Sequence, residues 1–106
     1  MSLSMLRFPK PNPFRSAVYL KWIRSWPCLV CGKAPVEAAH VVGQRGTATK
    51  TDDTYTVPLC AGHHRLKPDS HHQLGEGPFE DRHSLDLKRE VIRFQTEFIR
   101  TRLEAE

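Results

Sequence analysis

The sequence contains no apolar run long enough to cross a membrane, and its 106 residues leave room for one small hydrophobic core. Residues 1–8 also lack the apolar segment of a secretory signal peptide. Together these absences predict a cytoplasmic protein with a single domain. Because a core of this size contributes little stability, and eight prolines and six glycines interrupt the chain, we expect a metal ion to support the fold.

Cysteine is scarce, and the odd count of three excludes a closed disulfide framework. All three cysteines lie in two short motifs, Cys28-Leu-Val-Cys31 and Cys60-Ala-Gly-His63. Two motifs of this spacing can provide three thiolates and one imidazole, a tetrahedral donor set that zinc prefers. We therefore predict a structural zinc site, with reduced core thiols as the alternative. His64 could replace His63 as the fourth ligand, but the shorter Cys-x2-His loop favours His63.

Acidic residues are absent from Phe8 to Lys33, a stretch that carries five basic residues. A second basic segment spans Arg45 to Lys50, and the chain has a formal net charge of +4 with a pI near 9.2. Clustered positive charge favours a polyanionic partner, so we expect DNA binding. Ordinary solubilising charge is the alternative explanation.

Proline positions and hydrophobic periodicity divide the chain into short elements. The predicted elements are an extended, basic, proline-rich arm over 1–15, a helix from 17 to about 25, strands within 35–42 and 54–59, a helix over 61–67, a loop over 68–78, a helical turn over 79–83 and a helix over about 86–103. The last helix has an apolar stripe that includes Phe94, Phe98 and Ile99. This order predicts a small α+β domain over residues 16–106.

The pattern Ala39-His40, then Asp53, then Leu59-Cys60-x2-His63-His64 resembles the HNH endonucleases, also called the ββα-metal or His-Me finger superfamily. The similarity is greatest to the zinc-containing phage and prophage type, which includes phage recombination-enhancement nucleases. The resemblance covers about residues 25–80. It implies a ββα-metal core stapled by zinc, with the N-terminal and C-terminal helices flanking it.

The resemblance also implies roles for single residues. His40 matches the general base that activates water, and Asp53 falls where the family has Asn or Asp to hold the loop that carries the base. His64 matches the helix histidine that binds a catalytic Mg²⁺ or Mn²⁺ ion. His40 could instead be a core histidine without a catalytic role.

Two positions depart from the family pattern. Pro68 occupies the position of a frequent second histidine ligand, so we assign that ligand to His72, with His71 as the alternative. Ala39 stands where many relatives have an Asp or His ligand. These departures keep open a catalytically inactive, zinc-stapled DNA-binding module. A zinc-bound protein-interaction domain is a third possibility, for which the pairing of His40 and His64 would be a coincidence.

The remaining expectations concern partners. Arg45, Lys50 and Arg65 are candidates for gripping phosphates beside the cut, and the resemblance implies products with 5′-phosphate and 3′-hydroxyl ends. No recognition helix is evident, so we expect low sequence specificity. We expect a nucleoid-associated monomer or weak dimer, with an unidentified recombination or phage-processing partner and with His83 on the surface.

Overall fold

A computed structural model describes residues 14–41 and 52–104. Its elements are helix α1 (Ala17–Ile23), strands β1 (Glu37–His40) and β2 (Thr56–Leu59), a π-helix (Gly62–Leu66), and helices α2 (His71–Leu74), α3 (Glu76–His83) and α4 (Leu87–Glu104). The predicted α+β class is confirmed. The arm predicted over residues 1–15 lies almost entirely outside the described residues.

The two strands form an antiparallel hairpin in which Glu37 is opposite Leu59 and His40 is opposite Thr56. Every residue of β2 is buried, because helices pack over it. Alternation along β1 places Glu37 and Ala39 on one face, and Ala39 is fully buried there. His40 belongs to the other face and ends the strand.

The hydrophobic core joins α1 and α4 to the hairpin. Ser16 caps α1 by accepting a hydrogen bond from the Tyr19 backbone amide (3.1 Å). Phe94 of α4 packs edge-on against Trp26, with ring centroids 5.3 Å apart. The apolar stripe predicted for the last helix is confirmed at Phe94 but wrong at Ile99, whose surface is 59% exposed.

The loop predicted over residues 68–78 is wrong, because α2 and the beginning of α3 lie there. Ser70 accepts a hydrogen bond from the Gln73 backbone amide (3.2 Å) and caps α2, a short local signal inside a polar segment. Phe79 of α3 is fully buried, so this helix belongs to the core. No helix among the described residues is long and apolar enough to cross a membrane.

Candidate functional site

Cys28, Cys31, Cys60 and His63 form a cluster whose ligand atoms all lie within 4.8 Å of one another. The Cys31 and Cys60 sulfurs are 3.8 Å apart. Tetrahedral geometry with zinc–sulfur bonds of about 2.3 Å requires a sulfur–sulfur distance of about 3.8 Å. The Nδ1 atom of His63 is 3.3 Å from the Cys60 sulfur and 3.9 Å from the Cys28 sulfur. The donor set and its spacing therefore fit a zinc ion.

The backbone around Cys28 prepares its sulfur for metal binding. Burial raises the pKa of the Cys28 thiol, but backbone hydrogen bonds from Cys60, Cys31 and Val30 outweigh it and lower the pKa below the usual value. Gly32 closes this first motif with φ of +73°, a conformation that favours glycine. The Leu29 amide donates to the Pro58 carbonyl (3.0 Å), which attaches the motif to β2.

His83 packs against the cluster residue His63, which corrects the prediction that His83 is a surface residue. Its side chain is 10% exposed, and its ring packs edge-on against His63 with centroids 5.5 Å apart. The His83 Nε2–H donates to the Asp69 carbonyl (2.9 Å). His83 therefore restricts the orientation of the His63 ring without being part of the ligand set.

His40 and Asp53 lie together, 2.9 Å apart between Nε2 and Oδ1. Asp53 is buried and also accepts hydrogen bonds from the Ser16 amide and the Arg15 guanidinium (both 2.9 Å). Burial raises the pKa of Asp53. The hydrogen bonds from His40, Ser16 and Arg15 lower it by more, so the net shift of the pKa is downward. A carboxylate only accepts hydrogen bonds, so His40 carries its proton on Nε2 and leaves Nδ1 able to accept one.

The neighbouring aspartates allow a matched test of this network. We expect Asp53→Ala to lower the free energy of unfolding by about 2 kcal/mol, because it leaves the part-buried Ser16 amide without its acceptor. Among the described residues, Asp52 accepts an exposed hydrogen bond from the Phe14 amide, so Asp52→Ala should cost less than about 1 kcal/mol. Urea unfolding of both zinc-loaded variants measures the difference. Equal losses would contradict a structural role for Asp53.

His64 follows His63 on the π-helix but lies outside the cysteine cluster, because consecutive residues of a helix project in different directions. Its Nδ1 is 2.6 Å from Glu37 Oε1. The His64 ring is 4.5 Å from the His72 ring and 6.4 Å from the His71 ring, measured between centroids. Two imidazoles on one metal ion have centroids about 5 Å apart, given metal–nitrogen bonds of about 2.1 Å. The spacing favours His72 over His71.

The two other histidines differ in environment. His71 is buried, and its Nε2 lies 3.3 Å from Glu76 Oε2, whereas its Nδ1 has no hydrogen-bond partner among the described residues. His72 is exposed. Burial lowers the pKa of the His71 imidazole. The pKa of His72 is also lowered, first by the partial loss of solvent around its ring and then by the neighbouring His64, His71 and Arg65. A lowered pKa favours the neutral form that binds metal ions. In the described part of the chain, only the cysteine cluster brings three or more ligand atoms within 4.8 Å.

Among the predicted phosphate contacts, only Arg65 lies within the described residues. Arg65 is half-exposed and forms a forked contact with Glu37, in which Nη2 donates to Oε2 (2.9 Å) and Nε donates to Oε1 (3.1 Å). The hydrogen bonds from Arg65 and then His64 lower the pKa of Glu37 to about 2. Arg45 and Lys50 fall outside the described residues.

Glu37 and Glu76 are the residues of this region that the sequence analysis missed. Glu37 shares a strand face with Ala39, two residues away, so the period of β1 could have drawn attention to it. Glu76 follows Gly75, whose φ of +84° separates α2 from α3. Its proximity to His71 depends on that break between two short helices, and the polar pattern of residues 68–78 did not predict it.

Comparisons with known proteins give a family but no activity. The family model described as "Protein of unknown function (DUF968)" matches residues 2–97. The Uncharacterized protein YdfU of Escherichia coli (strain K12) is 33% identical over 63 residues, which represent 58% of this chain and 18% of the relative. The chain thus matches less than a fifth of that relative's length. No solved structure matches.

Proposed function

The chain belongs to the DUF968 family of proteins of unknown function, and we propose that it is a metal-dependent HNH endonuclease that hydrolyses phosphodiester bonds in DNA. One observation carries the proposal. His64, directly after the cluster residue His63, keeps its imidazole outside the cysteine cluster and beside Glu37 and His72. A zinc ion in the cluster would hold this π-helix against the first motif, and so against the hairpin that carries His40.

His40 is the general base in this proposal. Asp53 holds the proton of His40 on Nε2, so Nδ1 is the nitrogen that takes a proton from the attacking water. Asp53 is itself fixed by the Ser16 amide and by Arg15, which limits rotation of the imidazole. His40 is part-exposed, with 40% of its side chain accessible, so a large substrate can reach it.

His64 and His72 are the proposed ligands of a divalent Mg²⁺ or Mn²⁺ ion. Such an ion, when bound, neutralises charge on the phosphate and on the leaving oxygen. The separation of the two rings suits binding to one metal ion. His64 belongs to the π-helix that also carries the cluster residue His63, and His72 belongs to α2, which packs against that π-helix. Arg65, and with it Arg45 and Lys50, would provide positive charge for the flanking phosphates.

A plasmid-nicking assay tests the proposal. We expect the zinc-loaded protein to convert supercoiled plasmid to nicked circles with Mg²⁺ or Mn²⁺, to leave 5′-phosphate ends, and to stop when those ions are withheld. His64→Ala, purified identically, is the control for a contaminating nuclease and should lose this activity. Nicking by wild type and His64→Ala at the same rate would overturn the assignment of His64.

A second candidate function is a zinc-stapled DNA-binding module without catalysis. Ala39 favours it, because this residue is fully buried and offers no donor at a frequent ligand position of the HNH pattern. That function predicts a mobility shift with DNA but no nicking under any divalent ion. Its affinity should fall as salt rises, since phosphate contacts release counterions.

A further inference from the structure

Glu37 makes a short contact with His64, 2.6 Å between its Oε1 and His64 Nδ1. We propose that Glu37 is a positioning residue that keeps the His64 proton on Nδ1 and so presents Nε2 to the divalent ion. This inference rests on the proposed role of His64 as an ion ligand. Histidine ligands commonly donate their second N–H to a carboxylate, which sets both the tautomer and the ring orientation.

Glu37 is itself held rigidly, which a positioning role requires. Its backbone pairs with Leu59 in the hairpin, and its carboxylate receives the forked contact from Arg65. The side chain is about two-thirds buried, with 34% exposed, and His64 is 14% exposed. The carboxylate of Glu37 belongs to a strand and the imidazole of His64 belongs to the π-helix. Their contact therefore fixes the orientation of the His64 ring relative to the hairpin.

The position of Glu37 on β1 also bears on Ala39, which stands where many HNH endonucleases have a metal ligand. Both residues point to the same face of the strand, and Ala39 is completely covered there. Glu37 thus supplies a carboxylate on the face where Ala39 supplies none. The corresponding contact between Glu76 and His71 is longer, at 3.3 Å, and its carboxylate comes from the first residue of α3 instead of a paired strand.

The test measures Mn²⁺ binding and the His64 tautomer in the zinc-loaded full chain. Glu37→Ala should weaken Mn²⁺ binding by about 10–100-fold in calorimetry. It should also remove the Nδ1–H signature of His64 in nitrogen-15 ring spectra. Glu37→Gln should stay within a few-fold of wild type, because the amide oxygen still accepts the Nδ1–H.

Glu97→Ala is the matched control, since Glu97 also pairs with an arginine (Arg100, 2.6 Å) but lies on α4. It should leave Mn²⁺ binding and the His64 tautomer unchanged, and zinc content should be equal in all variants. Undiminished Mn²⁺ affinity in Glu37→Ala, or no Mn²⁺ binding by wild type, would overturn the inference. An equally large loss in Glu37→Gln would also overturn it, because the negative charge would then be the requirement.

The inference and the nuclease proposal can fail separately. If the wild type binds Mn²⁺ but nicks no DNA, and Glu37→Ala loses Mn²⁺ binding, the positioning role stands and the nuclease proposal fails. If the wild type nicks DNA and Glu37→Ala binds Mn²⁺ as tightly as the wild type, the nuclease proposal stands and the positioning role fails.

Discussion

Replacing His63 with alanine should release the zinc ion and unfold the domain, whereas replacing His64 should do neither. The reason is the position of the two rings. The Nδ1 atom of His63 lies within the four-residue cluster, and the Nδ1 atom of His64 lies against Glu37. His63 and His64 are therefore a matched pair of substitution sites: they are adjacent on the same helix, but only His63 belongs to the four-residue cluster.

The expected size of this effect follows from the stability of small domains. Structural zinc provides an apparent folding free energy of about 10–16 kcal/mol in zinc-finger peptides, while whole domains are stable by about 5–15 kcal/mol. Loss of one ligand therefore removes an amount comparable to the total. Elemental analysis should find one zinc per chain in wild type and His64→Ala and little in His63→Ala, whose far-UV circular dichroism should lose its helical signal.

Two results would contradict this expectation. Retention of zinc and of helical signal in His63→Ala, with loss of both in His64→Ala, would show that the fourth ligand is His64. A protein that keeps its helical signal after complete zinc removal by a chelator would show that the core of α1, α4 and the hairpin is sufficient without metal.

Replacing His40 with alanine should reduce the rate of plasmid nicking by about 10²–10⁴-fold, the usual contribution of a general base. The reduction is expected in the rate and not in DNA affinity, because the proposed role of His40 is to accept a proton in the chemical step and not to hold the phosphates. Single-turnover nicking, with a mobility shift run in parallel, separates the two quantities. Zinc content and thermal unfolding should change little, since His40 is part-exposed.

The matched variant is Asp52→Ala, which alters the neighbour of Asp53 and leaves the His40–Asp53 hydrogen bond in place. It should nick at close to the wild-type rate. Equal rates in wild type and His40→Ala would remove His40 as the base. Loss of DNA binding in His40→Ala would instead assign this residue to substrate recognition.

The cysteine motifs were predictable because their ligands are close in sequence. Within Cys28-x2-Cys31 and Cys60-x2-His63 the spacing alone brings each pair of donor atoms together, and a metal-compatible cluster follows once the two motifs meet. The two strands were predicted too, although they are shorter than expected, with β1 limited to Glu37–His40 and β2 to Thr56–Leu59. The HNH function stays a prediction.

The sequence by itself determined the α+β class and the four-residue cluster, because local spacing and residue chemistry carry that information. The resemblance to HNH endonucleases supplied His40, Asp53 and His64 as candidates. Only the tertiary structure decided which partner each histidine meets. Glu37 reaches His64 across 27 residues, Asp53 reaches His40 across a segment of 13, and His83 packs behind His63. These contacts depend on strand register and on the packing of α2 and α3, and no periodicity in a single chain specifies them.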